Sequence, residues 1–109
     1  MLRVAFRKIA PDKVEKLRSW MAEVQGRDDE VRETFRQETV RHEQAYLIEN
    51  ADQHILVYVM ELEDPEAAEQ AFQESALKID HEHREVMAAV VEKILEPELL
   101  YDVRLQRGK

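Results

Sequence analysis

Four side chains in this sequence have types and positions suited to moving a proton: His83, Asp80, Glu43 and Tyr58. His83 shares a helical stripe with Met87, Val90 and Ile94, so a helix there turns it inward rather than toward water. With an ordinary pKa near 6.5, an inward imidazole can act as a general base, a haem ligand or a metal ligand. It can equally pack as a partly buried histidine bonded to a neighbour. Asp80 stands one turn earlier, within reach to orient the ring or to cap a helix that begins there. Glu43 alternates with Ala45 and Leu47 on one strand face. If that face lines a cavity, desolvation raises the carboxyl pKa into a useful range; at a rim it is a solvated charge. Tyr58, in mid-strand, can hold a substrate oxygen or enolate, or lie in the core or a dimer interface with its hydroxyl satisfied. Brought together, Glu43, Asp80 and His83 would offer two or three metal ligands. Pattern alone does not bring them together, and neither a cofactor nor a metal is assigned.

The neighbouring candidates are weaker. His81 and Glu82 fall on other helical faces, His81 toward solvent and Glu82 near the helix dipole. Trp20, beside Met21, stands off the main stripe of its helix and packs or closes a pocket mouth. Arg7 can meet an anionic substrate or sit as a solvated charge at a strand end. No Gly-rich phosphate loop, nucleophile elbow or Walker-type sequence is present.

Elements must position these groups. Leu2–Ile9 alternates as a strand, with Leu2, Val4 and Phe6 on one face and Arg3, Ala5 and Arg7 on the other. Pro11 opens a helix carrying Val14, Leu17, Met21 and Val24, with Gly26 as its C-cap. Asp28 caps a second helix to about Glu38, with Val31 and Phe35 inward. Arg41–Glu49 reads as an edge strand and Asn50–Gln53 as a turn. His54–Leu62 is a strand apolar on both parities. Asp64-Pro65-Glu66 starts a helix whose pattern runs to about Leu95, with a break expected near Lys78–Asp80 and Asp80 capping the second half. After Pro97, Leu99–Leu105 alternates as a last strand.

This order, βαββαβ, predicts a ferredoxin-like α+β domain spanning residues 1–109, with four antiparallel strands ordered 4-1-3-2 and both helices on one face. Two helices cover only one sheet face. Of the rows Leu56/Tyr58/Met60 and Ile55/Val57/Val59, one must therefore face away, where a soluble monomer would rarely leave it. A homodimer joined through the open sheet face is the expected remedy. Composition sets the outer bounds. The 109 residues carry 24 acidic and 16 basic side chains, a net charge of −8, 44% hydrophobic residues and no cysteine. That describes one soluble globular domain without thiol chemistry. It argues against a nucleic-acid partner, and no apolar run approaches a membrane span. Without a signal-peptide h-region, the expected location is cytoplasmic.

The strand-helix-helix-strand-strand-helix-strand layout resembles the dimeric α/β-barrel superfamily. That superfamily includes antibiotic-biosynthesis-type cofactor-independent monooxygenases, haem-degrading enzymes and many stress-responsive proteins. Arg41–Ile48, and above all Ile79-Asp80-His81-Glu82-His83-Arg84, are similar to a small uncharacterised bacterial family of that group. The resemblance implies two sheets closing a barrel and a cavity between sheet and helices in each subunit, but no particular reaction. Two functions follow as expectations. One is a small-molecule pocket with oxygenase- or isomerase-like chemistry; the other is a non-catalytic dimeric ligand-binding or structural module.

Overall fold

The central strand, His54–Leu62, organises the molecule because both of its faces are apolar and both of its edges find partners. In the computed structural model, which describes residues 1–105, β1 (Leu2–Ile9) and β2 (Val40–Glu49) flank this strand, β3. β4 (Val91–Leu95) adds to the far side of β1, giving one antiparallel sheet in the order β2-β3-β1-β4. This is the expected ferredoxin-like order read from the other edge. α1 (Val14–Gly26), α2 (Asp28–Glu38), α3 (Pro65–Glu74) and α4 (Lys78–Val90) complete the α+β fold. No helix among the described residues is long and apolar enough to cross a membrane.

Local chemistry sets most boundaries. Asp64 accepts the backbone N–H groups of Glu66 and Ala67 at 3.1 and 3.2 Å, and Pro65 fills the first helical position of α3. Asn50 Oδ1 accepts from the backbone N–H groups of Asp52 and Gln53 and so closes the β2–β3 hairpin. Two caps differ from expectation. Gly26 is the last residue of α1 with Arg27 as cap, and Arg27 rather than Asp28 precedes α2. Arg27 bonds carboxylates on both sides of the junction, Glu23 and Glu30, which holds the two helices at this turn without a glycine cap.

The third and fourth helices part earlier than the pattern suggested, at Ser75–Leu77. Leu77 is the N-cap of α4, and Ser75 Oγ accepts the Leu77 N–H at 3.1 Å. Asp80 lies inside the first turn and caps nothing. Arg84 seals the break by donating to the carbonyls of Phe72 and of the cap residue Ser75, at 2.6 and 3.0 Å, reinforcing the long 3.4 Å bond from the Ser75 N–H to Phe72.

The last strand also moves. It is Val91–Leu95, not Leu99–Leu105. Val90-Val91-Glu92-Lys93-Ile94-Leu95 suits either a helix end or a strand. The open edge of β1 decides between them, pairing Phe6 with Leu95, Arg7 with Ile94 and Lys8 with Lys93. Residues 96–105 carry no regular structure, and Leu99, Tyr101, Val103 and Leu105 are 77–95% exposed. The radius of gyration is 15.1 Å, against about 13 Å for a compact chain of this length, in line with a tail that does not fold back.

The core lies between the helices and one face of the sheet. Ile9, Leu56 and Val90 pack with Val14 and Leu17, and a second group joins Val40, Leu62 and Ala68. Leu56, Tyr58 and Met60 are thus the row beneath the helices, and Ile55, Val57 and Val59 face away. The register carries this choice into β1: Arg7 pairs with Leu56, Ala5 with Tyr58 and Arg3 with Met60. The first strand therefore sends its cationic face under the helices and its apolar face outward. Leu2, Val4, Tyr46 and Ile48 stand exposed on the open side.

Candidate functional site

A row of small, large and small side chains floors a cavity. Tyr58 lies between Ala45 on β2 and Ala5 on β1, its register partners on either side. The two alanines leave room that larger residues would fill, and the helices do not descend to close it. Two cavities result, of about 530 and 640 Å³, which share Val24, Val31, Phe35, Glu43, Tyr58 and His83 on their walls. That is ample space for a small organic molecule.

His83 reaches this space from α4 and is held at both ring nitrogens. Trp20 Nε1 donates to His83 Nδ1 at 2.7 Å, and Tyr58 Oη lies 2.8 Å from His83 Nε2. The direction of the second bond follows from the first. An indole N–H can only donate, so Nδ1 is the bare nitrogen and a neutral ring carries its proton on Nε2. That proton goes to the Tyr58 oxygen. Burial keeps the ring neutral by pushing its pKa down to about 4, despite the opposing charge of Asp80. The rings of Trp20, Phe72 and Tyr58 surround the imidazole at centroid distances of 5.9, 5.7 and 6.1 Å. The structure thus differs from a free base or an iron or metal ligand at His83, since both nitrogens are engaged. His83 is a fixed donor to Tyr58. Among the described residues the tyrosine proton then has only the weak acceptor Met87 Sδ, 3.7 Å away. Burial, with the charge of Glu43, raises the Tyr58 pKa above its ordinary value, so the hydroxyl keeps its proton.

Glu43 lies on the cavity wall and has no hydrogen-bond partner among the described residues. Desolvation alone raises its pKa to about 7, so near neutrality both of its forms are populated. A second acid, Glu38 at the end of α2, is also raised to about 7, chiefly by burial and then by the charges of Asp80 and Glu43 against a Thr34 hydrogen bond. Thr34 Oγ lies 2.6 Å from Asp80 Oδ2 and 3.0 Å from Glu38 Oε2. One hydroxyl proton cannot serve both oxygens. The shorter contact, to Asp80, takes it. Asp80, only 3% exposed, is thereby paired with α2 and makes no hydrogen bond to the imidazole. Trp20, not Asp80, fixes the tautomer of His83.

Glu43, Tyr58 and His83 line one cavity, a convergence that the sequence pattern left open, and Asp80 stands beside them with another partner. They do not form a metal centre: no group of three or more His, Asp or Glu side chains among the described residues is placed to hold one ion. Glu82 pairs with Arg27 at 2.7 Å instead of resting on the helix dipole, and exposed His81 lies 3.6 Å from Glu85. Trp20 was read as packing or a pocket mouth, and is 6% exposed with a specific bond. Arg7, a solvated strand-end charge in one sequence reading, is half-buried on the cavity wall with Arg3 at the same strand face. The sequence signal for Arg7 was its own parity with Ala5 and Ile9, which only the register of β1 could assign to the inner face.

No curated protein and no solved structure matches this chain. A family model does match, over residues 2–107, and on that match the chain belongs to a family of unknown function (DUF6176).

Proposed function

We propose that this protein binds a small organic molecule in the cavity between sheet and helices and transfers a proton on it. The observation that carries the reading is the bond chain Trp20–His83–Tyr58. It leaves a neutral, oriented hydroxyl, bonded through its own proton only to the weak acceptor Met87 Sδ among the described residues, facing a cavity that Glu43 also lines. In an isomerase-type step, ionised Glu43 removes a proton from carbon next to a ligand carbonyl. The carbonyl oxygen gains charge as the enolate forms, and the Tyr58 O–H stabilises it there. Glu43, now a carboxylic acid, returns the proton to carbon. A pKa near 7 suits a group that must take and give the proton in one cycle. Of the oxygenase- and isomerase-like chemistries set out as expectations for such a pocket, the side chains favour the second.

The test is proton exchange. The protein is incubated in D₂O with a set of aryl and alkyl ketones, and mass spectrometry reads deuterium entering the ligand. The proposal expects exchange above the buffer rate for at least one ketone, abolished in Glu43→Gln and reduced about 10²-fold or more in Tyr58→Phe. Binding without exchange would establish the non-catalytic module instead. No binding would end the pocket reading.

The working unit proposed here is a homodimer joined through the open sheet face. Leu2, Val4, Tyr46 and Ile48 are exposed there, on the same face as half-buried Phe6 and buried Val57. Leaving such side chains in water forgoes roughly 1.5–3 kcal/mol for each. A second copy is the occupant that fits, because a two-fold axis sets the same apolar strands against one another. It also offers an apolar surface to the alternating, unpaired stripe Leu99/Tyr101/Val103/Leu105.

A further inference from the structure

The cationic face of β1 points beneath the helices, where the charge pattern of an ordinary amphipathic strand would not put it. Arg3 and Arg7 flank Ala5, and Ala5 is the register partner of Tyr58. Both arginines line the same cavity as Glu43. Arg7 is half-buried, donates one Nη1–H to the carbonyl of its neighbour Phe6 at 2.9 Å, and forms no ion pair among the described residues. The chain is rich in acid, and Arg18, Arg27, Arg32 and Arg41 each pair with at least one carboxylate, Arg27 alone with Glu23, Glu30 and Glu82, while half-buried Arg84 is satisfied by two backbone carbonyls. A half-buried guanidinium left with a single carbonyl and no anion in such a protein is unusual, since a buried charge is ordinarily paired. The carboxylates nearest in the cavity do not serve it. Asp80 and Glu38 share Thr34, and Glu43 has no bond to either arginine.

We infer that Arg7, with Arg3 at the mouth, is an anion subsite, and that the ligand is an organic carboxylate with an apolar body. The inference rests on the pocket reading above and names its substrate class. A guanidinium fork matches the two oxygens of a carboxylate and grips them through charge-assisted bonds. Arg7 stands beside the Ala5–Tyr58 pair on the cavity floor. A ligand held there by its carboxylate lays its next polar group against the Tyr58 hydroxyl and its apolar part against Val31, Phe35 and Met60. A neutral analogue of the same shape keeps the apolar contacts and loses the grip on Arg7.

The chain's single tryptophan makes the test direct, because Trp20 is bonded to His83 inside the cavity wall. The indole N–H resonance and the fluorescence of Trp20 are followed while the protein is titrated with 2-naphthoate and, separately, with 2-naphthamide. The inference expects naphthoate to bind at least tenfold more tightly than the amide. It expects Arg7→Gln to erase that preference while leaving amide binding unchanged, which also shows that the variant is folded. Arg3→Gln, nearer solvent, is expected to lower the preference only about two- to threefold. Equal binding of the two compounds by the unaltered protein would overturn the anion subsite while leaving the cavity reading intact. So would a preference that survives in Arg7→Gln. A Trp20 signal that neither compound moves would overturn the cavity reading and the inference with it. The comparison of acid with amide needs no variant, so it stands even if Arg7→Gln does not fold.

Discussion

His83 was legible as an inward residue because it shares a helical stripe with Met87 and Val90, whereas strand parity with Ala45 left Glu43 open between a cavity wall and a rim until the register placed it. What pattern could not carry was the direction of a hydrogen bond. The stretch Asp80–Arg84 looks like a catalytic motif, yet most of its members tie helices together. Asp80 holds Thr34, Glu82 holds Arg27, and Arg84 closes the end of α3. Only His83 faces the cavity with a chemical consequence, and that consequence depends on Trp20. The indole is about 100° round the helix from Met21 but only about 60° from Leu17, and its length brings it back into the core. Glu43 gives the clearest stability prediction at this scale. Its pKa of about 7 in the fold lies above the ordinary carboxylate value, so the native state holds more protons than the unfolded chain between the two. Stability is therefore lost as pH rises through that interval. Glu43→Gln is expected to stabilise the protein by about 1–2 kcal/mol at pH 8 and to leave it unchanged at pH 4. Urea unfolding at the two pH values reads this directly.

At the scale of elements, β2, β3, α2 and the start of α3 follow from local rules: alternation, an Asx turn, an acid cap before proline. The errors fall where local preference is balanced and a distant partner decides. Val91–Leu95 became a strand because β1 had an open edge, and the alternating Leu99–Leu105 did not because β1 was already paired. The inverted polarity of β1 has the same origin, since its register with β3 was invisible along the chain. One element end carries backbone strain. Thr39, the cap of α2, adopts φ 56° and ψ 32°, and it is β-branched in the left-handed region. Thr39→Gly is expected to raise stability by about 0.5–1 kcal/mol, read as a higher urea midpoint with an unaltered slope. A lower midpoint would mean that the Thr39 hydroxyl bond to the Glu38 carbonyl outweighs the strain.

At the scale of the whole molecule, one fact orders the rest: the sheet register turns the cationic face of β1 inward beneath the helices and its apolar face outward. The inner arrangement makes a cavity with charged and titratable walls, and the outer one calls for a second copy. Light scattering is expected to give twice the chain mass of 12.9 kDa at micromolar concentration. Val4→Lys, on the open face, is expected to yield monomers whose Trp20 resonance is unchanged. A wild-type protein that runs as a monomer would remove the dimer from the account. The bond chain on the cavity wall joins three separate elements, with Trp20 from α1, Tyr58 from β3 and His83 from α4, so the state of the imidazole reports on all of them at once. Nitrogen-15 NMR of the His83 ring between pH 5 and 8 is the most direct test. The account predicts a neutral ring throughout that range, with the proton on Nε2 and a bare Nδ1. A His83 that carries its proton on Nδ1, or that titrates near pH 6.5, would contradict it.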